Sequence, residues 1–73
     1  MLVGDLIYND EVDCNCNCEV YDCSKNGKSW SDGAELLFST KRDGFQKPFD
    51  RLLDMKIKYI TINNHVLIIE ATR

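Results

Sequence analysis

The sequence predicts a small α+β domain, predominantly β: an antiparallel meander of about four strands with one or two short helices and a C-terminal β-hairpin. Two observations predict this fold. Residues 55–72 contain two β-branched runs, MKIKYITI and VLIIEAT, on either side of a turn-forming pair, Asn63-Asn64. Residues 11–21 alternate strictly between apolar and polar side chains, the pattern of a strand with one buried face.

Length and composition limit the functions that we expect. The 73 residues form a single small domain, residues 1–73, and the hydrophobic share of 44% and charged share of 29% are typical of a folded soluble chain. The sequence has no apolar run near the roughly 20 residues of a membrane helix and no signal-peptide pattern. We expect a cytoplasmic protein without membrane contact or cofactor, and no enzyme, because such a thin core rarely encloses an active-site cleft.

The first third of the chain predicts a helical turn followed by a strand. Residues 2–10, LVGDLIYND, favour one turn of helix, because the apolar positions share a helix face and Gly4 and Asp5 disfavour a strand. The strand then begins at Glu11, although Asn and Asp near Asp13 predict an irregular outer end. Its dry face is formed by Val12, Cys14, Cys16, Cys18 and Val20.

Turn-forming residues divide the middle of the chain. Residues 24–29 contain Asn26-Gly27, the strongest reversal signal in the sequence, and residues 30–33 prolong that loop. Residues 34–40, AELLFST, are compatible with a strand or with a helix, and the closing Phe-Ser-Thr favours the strand.

A short helix precedes the final hairpin. Residues 41–44 form a second turn, and residues 48–54, which begin with proline, predict a helix. Phe49, Leu52 and Leu53 would share its apolar face.

The first strand of the hairpin has apolar side chains on both faces. Ile57 and Tyr59 lie on one face, whereas Ile60 and Ile62 lie on the other. Either both faces of the sheet are partly covered, or a β-bulge lies near Tyr59.

Four cysteines and one histidine are the candidate metal ligands. Cys14, Cys16 and Cys18 are spaced roughly 6.5 Å apart in an extended strand, too far for neighbouring sulfurs to reach one Zn²⁺. Cys23 and His65 are the remaining candidates, and His65 stands alone in the hairpin turn. We therefore expect the three alternating cysteines to be small buried hydrophobic residues, with metal binding, shared between two chains, as the alternative.

The acidic residues are concentrated in the first 23 residues, which contain no lysine or arginine. This distribution argues against direct nucleic-acid binding by that segment. Glu11, Asp13, Glu19 and Tyr21 share the polar face of the predicted strand, and Asp10 and Asp22 adjoin it. Their even spacing is compatible with a solvated strand face or with an acidic stripe that imitates the phosphates of a nucleic acid.

Trp30 is the remaining candidate for a functional side chain. It lies in a loop rich in Gly and Ser, near Tyr21 and Phe45 in the expected hairpin. Trp30 either covers one edge of the core, which is the interpretation that we prefer, or anchors a partner protein.

The order of the segments VGDLI, CEVYD, LLFST, LLDMKIKYITIN and VLIIEA resembles that of small uncharacterised proteins from phages and mobile elements of Gram-positive bacteria. The resemblance covers most of the chain. It implies an accessory or inhibitory role rather than an enzymatic one.

These observations favour a non-enzymatic interaction module that binds a protein partner, or a second copy of itself as a homodimer, through a sheet face or edge. One alternative is an acidic nucleic-acid mimic, of the anti-defence type, that inhibits a nucleic-acid-binding protein. The other alternative is a cysteine-based metal-binding protein.

Overall fold

A computed structural model describes residues 1–7, 17–24, 29–44, 46 and 48–73 of the chain. In these residues four strands form one sheet, against which short helices pack, so the predicted α+β class and number of strands are confirmed. The elements in chain order are α1 (Val3–Ile7), β1 (Asn17–Asp22), a 3₁₀ helix (Trp30–Asp32), β2 (Glu35–Ser39), α2 (Thr40–Asp43), α3 (Asp50–Leu53), β3 (Lys56–Asn63) and β4 (Val66–Thr72).

The sheet is mixed, which corrects the predicted antiparallel meander. Its strand order is β2-β1-β4-β3, and β1 runs parallel to β4 while the other two pairings are antiparallel. In a meander the last strand would lie at an edge. The last strand, VLIIEAT, lies in the interior instead, because its residues are mostly buried and a central strand has neighbours on both sides.

The C-terminal hairpin is present, but its turn lies one residue later than predicted. The two turn residues are Asn64 and His65, with φ of 52° and 65°, in place of the pair Asn63-Asn64. This register places Ile62 opposite Leu67. A turn at Asn63-Asn64 would instead place Ile62 opposite His65 and lose this pair of apolar side chains.

The β-bulge anticipated near Tyr59 is also present. The register of β3 with β4 shifts between Ile57 and Tyr59, so these two residues do not follow a simple alternation.

One face of the sheet, here called the inner face, is covered by α1 and α3. The burial of Cys18 and Val20 there confirms the predicted dry face for the described part of β1. The core comprises Val3, Cys18, Val20, Phe38, Leu52, Met55, Ile69 and Ala71.

The short elements follow the predictions in part. The helical turn in residues 2–10 is α1, and residues 34–40 contain the strand β2, as favoured. Residues 41–44, predicted as a turn, belong mainly to α2, which ends where Gly44 takes a φ of 85°. Residues 30–33, predicted as loop, contain the 3₁₀ helix.

The helix predicted over residues 48–54 is shorter than expected. It begins at Asp50, because Phe49 keeps an extended backbone with ψ of 152°. Leu52 is buried and Leu53 half-buried, whereas Phe49 is 55% exposed, which corrects its predicted place on the apolar helix face.

The helices α1 and α3 pack in close contact at Gly4. A Cβ atom at Gly4 would lie 3.1 Å from the carbonyl oxygen of Leu53, so a side chain there would push the two helices apart. No helix among the described residues has both the length and the apolar character that crossing a membrane requires.

Several predictions fall outside the described residues. They concern residues 8–10 of the first segment, the outer end of the first strand from Glu11 to Cys16, the turn at Asn26-Gly27 and the position of Phe45.

Candidate functional site

The two edge strands of the sheet, β2 and β3, differ in how their outward backbone groups are bonded. An edge strand exposes N–H and C=O groups that pair readily with another chain unless something blocks them. At β2, the Ser39 N–H donates to Asp43 (3.1 Å) and the Leu37 carbonyl accepts from the Arg42 guanidinium (3.0 Å). The side chains of α2 therefore block this edge.

The blocking pair at β2 is itself held together by several hydrogen bonds. Arg42 donates to both carboxylate oxygens of Asp43, at 2.8–3.1 Å. These bonds, with the Ser39 N–H, hold the pKa of Asp43 below its ordinary value, and Asp43 raises the pKa of Arg42. The pair thus stays charged at neutral pH.

Among the described residues, the edge of β3 is covered only at its beginning. Residues 1–3 lie alongside it: Ile57 N–H donates to the carbonyl of Met1, and Val3 N–H to the carbonyl of Met55, both at 2.9 Å. Beyond Ile57, nothing in the described part of the chain pairs with this side of β3. We call the outward side of residues 58–63 the free edge.

The turn of the hairpin determines which backbone groups point toward the free edge. Asn64 and His65 both have positive φ, as in the two-residue turns that match strand twist. Asn63 and Val66, which flank them, therefore form the hydrogen-bonded pair that closes the hairpin.

Alternation along β3 then assigns the remaining groups. If the N–H and C=O of Asn63 face β4, those of Thr61 do as well, whereas those of Ile60 and Ile62 face away. The outward bond of Ile57 to Met1 agrees with this assignment, because the bulge shifts the alternation by one residue. The free edge thus presents the backbone groups of two isoleucines.

The same isoleucines expose their side chains. Ile62 is 74% exposed and Ile60 39% exposed, next to Tyr59 at 60%. Exposed apolar side chains and open backbone groups therefore coincide at this edge. Lys56 and Lys58, also exposed, precede them in the strand.

The candidate metal ligands are not brought together in the described residues. Cys18 is buried, at 4% exposure, as expected of a small hydrophobic residue, and Cys23 is buried to the same extent. His65 is exposed in the hairpin turn, and Cys14 and Cys16 lie outside the described residues. The described His, Cys, Asp and Glu residues contain no group of three or more placed to hold a metal ion.

Cys23 lies in acidic surroundings. Burial raises the pKa of its thiol, and the nearby carboxylates of Glu70 and Asp22 add to the increase while Lys58 opposes it. The Cys23 thiol is therefore poorly ionised at neutral pH.

Of the acidic stripe, the structure describes Glu19, Tyr21 and Asp22. The Tyr21 hydroxyl donates a 2.8 Å hydrogen bond to Glu19, and burial together with this bond raises the pKa of Tyr21 to about 12. Asp22 does not join this face, because it is buried and lies 3.7 Å from the Arg73 guanidinium. Glu11 and Asp13 lie outside the described residues, as does Asp10.

Trp30 packs at the edge of the sheet face opposite the helices. Its ring lies 6.4 Å from that of Tyr21, and its backbone N–H donates to the carboxylate of Glu70 at 2.9 Å. The side chain is half-buried, so the structure favours the predicted covering role over an exposed anchor.

A pocket of about 400 Å³ opens beside α3. Its lining combines apolar side chains with two arginines and two aspartates, so its charges select neither an anionic nor a cationic ligand. The lining residues are Asp22, Leu37, Phe49, Arg51, Asp54, Met55 and Arg73.

Sequence reasoning missed the features that distinguish the two edges. The blocking role of Arg42 and Asp43 depends on α2 folding back beside β2, and short-range patterns carry no signal for it. The exposure of Ile60 and Ile62 was not predicted either, because apolar residues on both faces of β3 indicated partial cover of both faces or a β-bulge.

Comparison of the chain with protein-family models, with curated proteins and with solved structures gives no significant match.

Proposed function

We propose that the protein is an interaction module that binds a protein partner by strand addition at the free edge of β3. In strand addition, an extended segment of the partner pairs with an exposed sheet edge: backbone hydrogen bonds supply affinity, and side chains on alternate positions supply specificity. The observation that carries the proposal is the contrast between the edges, one blocked by a charged pair and one open beside exposed isoleucines.

The chemistry of the free edge indicates what kind of segment it accepts. On the inner face a partner strand would lie beside Ile60 and Ile62, which favour apolar, β-branched neighbours. On the opposite face it would lie beside Tyr59 and Thr61. An alternating strand with one apolar and one polar face matches both.

A strand peptide provides a direct test. An acetylated eight-residue peptide of alternating Thr and Val is titrated into the isotopically labelled protein, and amide chemical shifts are followed by NMR. The shifts are expected to concentrate at Ile60 and Ile62, whose N–H groups face the free edge, and to spare β2.

Two variants make the test specific. Ile62→Pro removes one outward donor without removing a bond to β4, so it should abolish binding while the fold persists. Phe49→Ala removes a comparably exposed apolar side chain elsewhere and should leave binding unchanged. Equal binding by Ile62→Pro and the unaltered chain would contradict strand addition at this edge.

A further inference from the structure

We infer that the partner at the free edge is a second copy of this chain, paired antiparallel through β3 with Thr61 on the twofold axis. The inference rests on the proposed function, because it names the occupant of the same edge. Two four-stranded sheets would thereby join into one continuous eight-stranded sheet.

The backbone favours this register. In antiparallel pairing about Thr61, Ile60 of one copy lies opposite Ile62 of the other, and the reverse pair forms by symmetry. Both residues direct their N–H and C=O groups outward, so the two pairs are of the hydrogen-bonded kind and form four hydrogen bonds in all. The two Thr61 residues form the non-hydrogen-bonded pair between them.

The side chains favour the same register. It brings together four isoleucine side chains on the inner face, where Ile62 alone is 74% exposed in a single copy. Centring the pairing on Ile60 would instead place Ile62 opposite Lys58. Centring it on Ile62 would place Ile60 opposite the turn residue Asn64 and leave one apolar pair, between the two Ile62 side chains, in place of two.

The lysines of β3 restrict pairing to few registers. Pairing centred on Lys58 would place two ammonium groups directly opposite each other, which is unfavourable. With Thr61 on the axis, the two Lys58 residues are six residue steps apart, roughly 20 Å, beyond the screening length of physiological salt. Charge repulsion thus disfavours the register centred on Lys58 and does not disfavour the register centred on Thr61.

The contact is small, so the dimer should be weak. About seven residues of each copy take part, against the roughly 20–30 a side of a standard stable interface. We expect a dissociation constant on the order of 10 µM to 1 mM, with rapid exchange between monomer and dimer.

Disulfide trapping tests the register. Residues in a non-hydrogen-bonded antiparallel pair have Cα atoms roughly 4.5 Å apart, within the range that a disulfide spans. Thr61→Cys, in a chain whose Cys14 and Cys16 are replaced by Ser, should form a covalent dimer under mild oxidation. The matched control is Asn63→Cys, whose two copies would be about 14 Å apart in this register and should cross-link at least about tenfold more slowly.

Sedimentation equilibrium tests the association itself. The average mass of the unaltered chain should rise with concentration, and Ile62→Lys should remain monomeric because it places charges in the isoleucine cluster. Circular dichroism establishes that this variant is folded, and Ile62→Pro replaces it if it is not. Equal cross-linking of the Thr61→Cys and Asn63→Cys chains would overturn the register.

The two proposals fail in different ways. A chain that stays monomeric to millimolar concentration, yet still binds the Thr-Val peptide at Ile60 and Ile62, would overturn self-pairing and leave strand addition intact. A chain that neither associates nor binds the peptide would overturn both.

Discussion

The hydroxyl of Thr40 connects the beginning of β1 to the end of β2, and replacing Thr40 with Val should destabilise the fold substantially. Thr40 Oγ1 accepts a 3.0 Å hydrogen bond from the buried backbone N–H of Cys18 and donates a 2.9 Å bond to Asn17 Oδ1. Thr40 is only 8% exposed. Val has nearly the same shape, so Thr40→Val removes the hydrogen bonds without opening a cavity.

The size of the effect follows from the burial of each group. Loss of the Thr40 hydroxyl as an acceptor for the buried Cys18 N–H costs about 1–3 kcal/mol, whereas the half-buried Asn17 amide can turn to water, so its bond contributes about 0.5–1 kcal/mol. We therefore expect Thr40→Val to lower the free energy of unfolding by about 2–3 kcal/mol. A chain of 73 residues has a stability of roughly 4–11 kcal/mol, so this loss is a large fraction of the whole.

Urea unfolding followed by circular dichroism measures this change. With a slope of about 1 kcal/mol/M, the midpoint should fall by about 2 M in Thr40→Val and the slope should stay constant. Thr40→Ser is the matched control, because it keeps the hydroxyl and loses one methyl group at a cost of about 1 kcal/mol. If Thr40→Val proves no less stable than Thr40→Ser, the hydroxyl does not support the strand junction and the reasoning fails.

Three further outcomes follow from the structure. The folded-state pKa of Tyr21 is raised to about 12, above the ordinary value near 10, so the stability that Tyr21 contributes is present below pH ~10 and is lost as pH rises toward 12. Unfolding curves at alkaline pH should show this loss of stability, and the Tyr21→Phe chain should not show it. Gly4→Ala should lower the free energy of unfolding by about 1 kcal/mol, because the cost of crowding its Cβ against the Leu53 carbonyl outweighs the gain in helix propensity. A Gly4→Ala chain that is more stable in urea unfolding would contradict that contact. Cys23 should react with a thiol reagent far more slowly in buffer than in urea, because the side chain is buried and the pKa of its thiol is raised. Peptide mass spectrometry locates the label. Labelling in buffer at the rate of a free thiol would show that the Cys23 side chain is accessible to solvent.

The features predicted correctly are those that neighbouring residues produce together. The alternation of Cys18 and Val20 with polar side chains predicts their burial, and the β-branched runs on either side of a turn predict the hairpin. The apolar residues on both faces of β3 predict either partial cover of both faces or a bulge near Tyr59, and the bulge is present. Each of these depends on side-chain periodicity and turn chemistry over a few residues, which is why the order of amino acids suffices.

The candidate site was foreseen only in part, since its character depends on contacts between distant segments. Sequence patterns place Ile60 and Ile62 in a strand but do not reveal that no described segment covers them. Likewise, the carboxylate of Glu70 accepts a hydrogen bond from the backbone N–H of Trp30, 40 positions away in the chain, and no local sequence pattern predicts this contact.

The parallel pairing of β1 with β4, and hence the identity of the two edges, was likewise set by tertiary structure. Several strand orders satisfy the same local preferences. The order adopted is the one that surrounds the most apolar strand, β4, with a neighbour on each side and leaves β3 at an edge. Burial of apolar surface is a property of the whole packed chain, so it selects among arrangements that local periodicity leaves equivalent.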